Sequence, residues 1–207
     1  MLVPGLAVAQ TTDRFEVGGG VQWIGGASLA DVDATLDTAS GGTFVQFGSE
    51  SELGSSLAVE GRFAVRLTRS LQAEASLSYG TADLRTELTS DVESIPDTTV
   101  SEPITRYTIE GALVASLDGW RRGLFTPFVT VGGGYLRELH DGRTLVETGG
   151  TFHAGGGVAL PLRTRPAGGT AVGIRVDLRA VMRSGGVQFD DDLMVVPAAG
   201  ASMFLRF

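Results

Sequence analysis

The sequence has no cysteine, no lysine and no asparagine. Without cysteine there is no disulfide, no thiolate metal site, no thiol nucleophile and no lipid-modified N-terminal cysteine. All sixteen basic residues are arginine, a compositional bias to which we attach no mechanism. No basic patch is present and the net charge is −8, which argues against nucleic acid, because phosphate binding needs clustered cations. No apolar run reaches the ~18 residues that a transmembrane helix requires. Prolines number only seven, against thirty glycines. Yet 43% of the residues are hydrophobic, too many for a disordered chain. The 207 residues suit one domain. The apolar residues are therefore dispersed, and their period decides the fold.

That period is two. Leu57, Val59, Phe63, Val65 and Leu67 alternate with Ala58, Glu60, Arg62, Ala64 and Arg66. This is a strand with one apolar and one polar face. After Thr68-Arg69-Ser70 the alternation restarts from Leu71 to Tyr79, which reads as a tight hairpin. Further strands carry Tyr107 to Leu117, Phe125 to Tyr135, Phe152 to Leu162, Val172 to Ala180 and Ala199 to Phe207. An opening strand holds Phe15, Val17, Val21 and Trp23. The spacing predicts eight strands, joined by short connections at 68–70, 118–124 and 163–171 and by longer loops at 29–54, 84–103, 138–150 and 184–193. The triple glycines from Gly18, Gly132 and Gly155 lack the Lys-Ser/Thr and helix of a phosphate loop; they relieve crowding and allow curvature.

A soluble barrel also alternates, with its apolar side chains inside. The aromatic residues separate the two readings. Tyr79, Tyr107, Tyr135 and Phe152 fall at strand ends beside the long loops, and Phe15, Trp120, Phe125 and Phe207 fall at the other ends. Ten residues at ~3.3 Å each, tilted by ~40°, span about 25 Å, the height of an outer-membrane apolar band. Aromatic rings favour the headgroup region, so two girdles at this separation point to a bilayer. The polar faces are mostly Gly, Ala, Ser and Thr with scattered charges, which suits a narrow lumen better than a solvated surface.

The chain closes on an alternating strand with Met203, Leu205 and a terminal Phe207. This ending resembles the C-terminal signal that barrel-assembly machinery reads in bacterial outer-membrane proteins. Together with Thr126–Tyr135 and Phe152–Leu162, it makes the chain similar to the small OmpA/OmpX-type outer-membrane β-barrels. The resemblance covers residues about 14–207, the barrel alone, and carries over no peptidoglycan-binding function. It implies an all-β, eight-stranded antiparallel up-and-down transmembrane barrel in the bacterial outer membrane. Its partners would be outer-membrane lipid and lipopolysaccharide, with the assembly machinery during insertion.

Charge gathers on the lumen face: Glu60, Arg62, Arg66, Glu74, Glu110, Arg175, Asp177, Arg179 and Arg183. Glu60, Arg62, Glu110, Asp177 and Arg179 count to similar heights. Buried ions must pair, and arginine pairs well because its planar fork bonds carboxylates bidentately. The reading favoured is a plug, because eight strands leave a lumen just wide enough for side chains. No large steady conductance is then expected. A narrow channel for small or hydrophobic solutes is the alternative, and a lipid-modifying enzyme ranks third. The enzyme reading is weak because His140 and His153 are the only histidines and neither lies in a His-x-Ser-Asn pattern. We expect no enzyme activity, cofactor or metal.

Three long loops are acidic, with Asp31, Asp33, Asp37, Glu50 and Glu52 in the first, Glu87, Asp91, Glu93, Asp97 and Glu102 in the second, and Asp190–Asp192 in the fourth. Solvated loops are the plain reading; a surface ligand or divalent cations bridging lipopolysaccharide are the functional one. Finally, Ala7-Val8-Ala9 matches a small-x-small cleavage pattern. We expect residues 1–9 to be the remainder of a signal peptide, with the barrel domain over residues 10–207.

Overall fold

Alternating faces need a sheet with two different environments, and the chain builds one that closes on itself. The computed structural model describes residues 14–37, 43–90, 98–140, 145–163, 170–186 and 193–207. The signal-peptide expectation for residues 1–9 and the Asp190–Asp192 run lie outside them. Ten strands follow in order: β1 (Phe15–Ile24), β2 (Ala27–Asp37), β3 (Thr43–Leu53), β4 (Ser56–Arg66), β5 (Leu71–Ser90), β6 (Thr98–Ser116), β7 (Thr126–Leu139), β8 (Val146–Arg163), β9 (Ala171–Gly185) and β10 (Met194–Arg206). Every pairing is antiparallel, and β10 returns to β1 with Val17 opposite Leu205 and Trp23 opposite Ala199.

These ten segments make a ring of eight staves. β2 continues β1 past Gly25-Gly26, and β3 leads into β4 across Gly54-Ser55. At the first break the ladder changes hands: β1 pairs with β10 and β4, whereas β2 pairs with β3. The chain passes so close to its neighbour there that a Cβ on Gly26 would lie 2.7 Å from the Leu53 carbonyl oxygen. The β2–β3 hairpin therefore extends the first two staves beyond the ring.

This corrects the loop reading. Residues 29–54 are mostly the β2–β3 hairpin, and the segment 84–103 holds the far ends of β5 and β6, paired as far as Leu88 and Thr98. The physical reason is an inversion of polarity along the staves. Between the girdles, apolar side chains face out: Leu57, Val59, Leu77, Ile109, Val131 and Leu178 are all exposed, and Leu178 keeps 67% of its surface. Above Tyr79, Tyr107 and Tyr135 the pattern reverses. Leu53, Ala82, Ile104 and Leu136 are buried, while Glu52, Asp83 and Arg137 are exposed. The first arrangement suits lipid outside and ions inside; the second is that of a soluble barrel.

The girdles hold the aromatic residues read from the sequence. At the short-turn end the Phe15 ring lies 6.1 Å from Phe63 and 6.2 Å from Phe207, and Trp120 and Phe125 are exposed on the adjoining turn, Trp120 within a short 3-10 turn (Asp118–Trp120). At the other end the Tyr79 and Tyr107 rings are 5.1 Å apart across the β5–β6 register, and Tyr135 and Phe152 face out nearby. Phe15 and Phe207 also bond to each other through their backbone amides and carbonyls at 2.9 Å, which ties the terminal residue into the ring closure.

Candidate functional site

Inside the ring the inward parity of β4, β5 and β9 brings six ionic side chains together. They form a closed cycle in which acid and base alternate. Arg62 Nε lies 3.1 Å from Glu60 Oε1, and Arg179 Nη1 donates to Glu60 Oε2 at 3.4 Å. Arg179 Nε donates to Asp177 Oδ2 at 2.6 Å, and Asp177 Oδ1 lies 3.5 Å from Arg175 Nε. Arg175 Nη1 donates to Glu74 Oε2 at 2.6 Å, and Glu74 Oε1 closes the cycle 4.0 Å from Arg62 Nη1. Arg62 also hydrogen-bonds Ser202 of β10. All six are buried, Asp177 to 2% exposure.

Three positive and three negative charges cancel, which burial demands, since each unpaired ion in the interior costs several kcal/mol. The cycle fits because small residues face it. Gly157 and Gly200 both lie opposite Asp177 in register, and a Cβ on Gly157 would come within 2.8 Å of Asp177 Cβ. Gly155 lies opposite Arg179, where a Cβ would approach the Leu178 carbonyl oxygen to 2.2 Å.

The remaining lumen charges sit elsewhere. Glu110 does not bond to the cycle; its Oε1 accepts from Thr151 Oγ1 at 3.1 Å, and its Oε2 lies 3.5 Å from His153 Nδ1. Arg183 belongs to a second cluster nearer the long loops. There Glu138 Oε1 accepts from Arg183 Nη2 at 2.6 Å and from Arg106 Nε at 2.8 Å. Ile24, Val181, Val196 and Ala198 form an apolar group inside the same end of the barrel. Arg66 lies at the opposite end, on the wall of a cavity at the short turns.

Arg106 and Glu138 were missed in the sequence because both lie at or beyond the Tyr107 and Tyr135 ends assigned to the strands. Their signal was parity: Arg106 is two residues before Thr108 and four before Glu110, and Glu138 is two after Leu136, all inward-facing. His153 also lies on the lumen face and is 3% exposed. His140 is held by acids too, with Nδ1 3.0 Å from Glu102 Oε1 and Nε2 3.8 Å from Glu147 Oε1. Both histidines thus meet carboxylates, His153 that of Glu110 and His140 those of Glu102 and Glu147.

An eight-stranded up-and-down barrel with an apolar outer belt, aromatic rings at both edges and paired ions inside is built as an outer-membrane β-barrel. No protein-family model matches the chain, and no curated protein matches it in sequence. Solved structures share its fold along nearly the whole length. Neisserial surface protein A aligns with a TM-score of 0.50 and 13% identity, covering 93% of this chain and 95% of that one. The outer membrane protein OprG from Pseudomonas aeruginosa aligns with a TM-score of 0.50 and 10% identity, covering 94% of this chain and 96% of its own. The chain thus shares the antiparallel β-barrel fold of these two proteins.

Proposed function

We propose that this barrel is a sealed, non-catalytic membrane anchor that presents extended hairpins at the cell surface. The observation that carries the reading is the closed six-membered charge cycle at mid-lumen. It ties β4, β5 and β9 across the interior, and any wide water path must break it. Glu50, Glu52 and Glu87 are exposed on the parts of β3 and β5 beyond the aromatic girdle, so an acidic surface faces outward. Outer-leaflet lipid and lipopolysaccharide, through bridging cations, are the partners that such a surface suits. The barrel-assembly machinery is the partner during insertion, through Met203, Leu205 and Phe207.

The sealing test is swelling of proteoliposomes in an isosmotic sugar solution. Swelling at the rate of protein-free vesicles supports the reading. Porin-like swelling would replace it with the channel reading.

A further inference from the structure

At the short-turn end the lumen opens into a cavity of about 220 Å³. In outer-membrane barrels this end faces the periplasm. Its wall carries five arginines, Arg66, Arg69, Arg121, Arg175 and Arg206, against only two carboxylates. Both carboxylates are engaged. Glu16 Oε2 accepts from Arg206 Nε at 3.0 Å and Nη2 at 2.6 Å, and Asp118 Oδ2 accepts from Ser70 Oγ at 2.9 Å. Arg206 is paired with Glu16 and Arg175 belongs to the neutral cycle, so the rim arginines Arg69 and Arg121 make the cavity cationic inside a chain whose net charge is −8.

A second observation points to a ligand. Arg175, 3% exposed, lines the inner end, stacked 4.3 Å from the Phe128 ring centroid. Its Nη1 is spent on Glu74, but its buried Nη2 has no hydrogen-bond partner. A buried guanidinium donor is costly to leave unmade. At the outer rim, Arg69 and Arg121 are exposed on turns and bond to no carboxylate among the described residues. Gln72 and Thr126 add neutral polar groups to the same wall.

We infer that this vestibule binds a small soluble anion bearing a phosphate or carboxylate group. Arginine's planar fork matches both groups. The volume lies below the ~300 Å³ of drug-sized sites, so the ligand is small. The staves wall the cavity off from the surrounding lipid, which favours a ligand from the periplasm over a lipid headgroup. The inference stands whether or not the charge cycle above seals the lumen.

The test uses the full-length barrel, 15N-labelled and folded in zwitterionic micelles. Inorganic phosphate and glycerol 3-phosphate are titrated at constant ionic strength. The Gln72 side-chain amide and Trp120 indole should shift saturably, and the Trp23 indole, on the far half of β1, should not. R69Q/R121Q should weaken binding at least tenfold, whereas R85Q, an exposed arginine beyond the opposite girdle, should leave it unchanged. The spectrum itself reports whether each variant is folded. A linear, unsaturable shift, or equal affinity in R69Q/R121Q, would overturn the inference. A parallel measurement compares nanodiscs of phosphatidylglycerol and phosphatidylcholine. If phosphatidylglycerol alone shifts Gln72 and abolishes the response to soluble phosphate, the ligand is a lipid headgroup and the soluble-anion inference fails.

Discussion

Asp177 is the one acid of the charge cycle that meets all three arginines, and replacing it with asparagine is a sharp perturbation of the lumen. Its carboxylate receives Arg179 Nε at 2.6 Å and lies 3.5 Å from Arg175 Nε and 3.9 Å from Arg62 Nη1. D177N keeps the volume but leaves the three arginines facing two carboxylates. The lost charge-assisted hydrogen bond is worth about 1.5–3 kcal/mol, and the excess buried cation adds to that. The total expected from breaking a buried pair is about 3–5 kcal/mol. Urea unfolding in lipid vesicles, followed by Trp fluorescence, measures it. Restoring neutrality in D177N/R179M should recover part of the loss, with a coupling of about 0.5–3 kcal/mol. A D177N variant within about 0.5 kcal/mol of wild type would behave as a surface change. The cycle would then be hydrated and loose, and the plug argument would fail.

Other consequences follow from the same geometry. Leu178 is 67% exposed within the apolar belt, so L178R should destabilise the barrel by about 2–4 kcal/mol in a bilayer, whereas L193R, beyond the β9 and β10 ladder, should cost about 0–1 kcal/mol; urea titration compares them. F207A removes a ring 6.2 Å from Phe15 and should cost about 0.5–1.5 kcal/mol and slow insertion, read as the heat-modifiable folded band on a gel over time. E138Q weakens the one carboxylate oxygen that receives both Arg106 and Arg183, and a loss of about 3–5 kcal/mol is expected in the same unfolding assay. G155V would drive a side chain into the Leu178 carbonyl, which a Cβ already meets at 2.2 Å, so it should yield no folded band.

The ring was legible in the sequence wherever lipid imposed one polarity on one face. Strand β4, from Ser56 to Arg66, alternates because every second side chain meets hydrocarbon, and its buried residues include Glu60 and Arg62. Beyond Tyr79, Tyr107 and Tyr135 the outward face meets water. The alternation continues, but the apolar Leu136 now faces in and the charged Arg137 faces out, where the apolar Tyr135 faced out just below. A pattern that changes sign mid-strand looks like the end of a strand, so the hairpins were read as loops. The lumen charges were legible as a parity class but not as a network. Sequence height placed Glu110 with the cycle, yet the stagger of neighbouring strands sets it opposite Gly134 and beside Thr151 instead. The vestibule was harder still. Arg69 stands in the turn at 68–70 and Arg121 in the connection at 118–124, but their convergence with Arg175 on one cavity depends on ring closure.

The central claim is that a neutral side-chain cycle closes the lumen, and single-channel recording in planar bilayers tests it most directly. Wild-type protein should give no steady conductance, and D177A/R179A, which removes one acid and one base from the cycle while keeping its charge balanced, should open discrete steps. Stable nanosiemens-scale channels from the wild type, unchanged in D177A/R179A, would contradict the account.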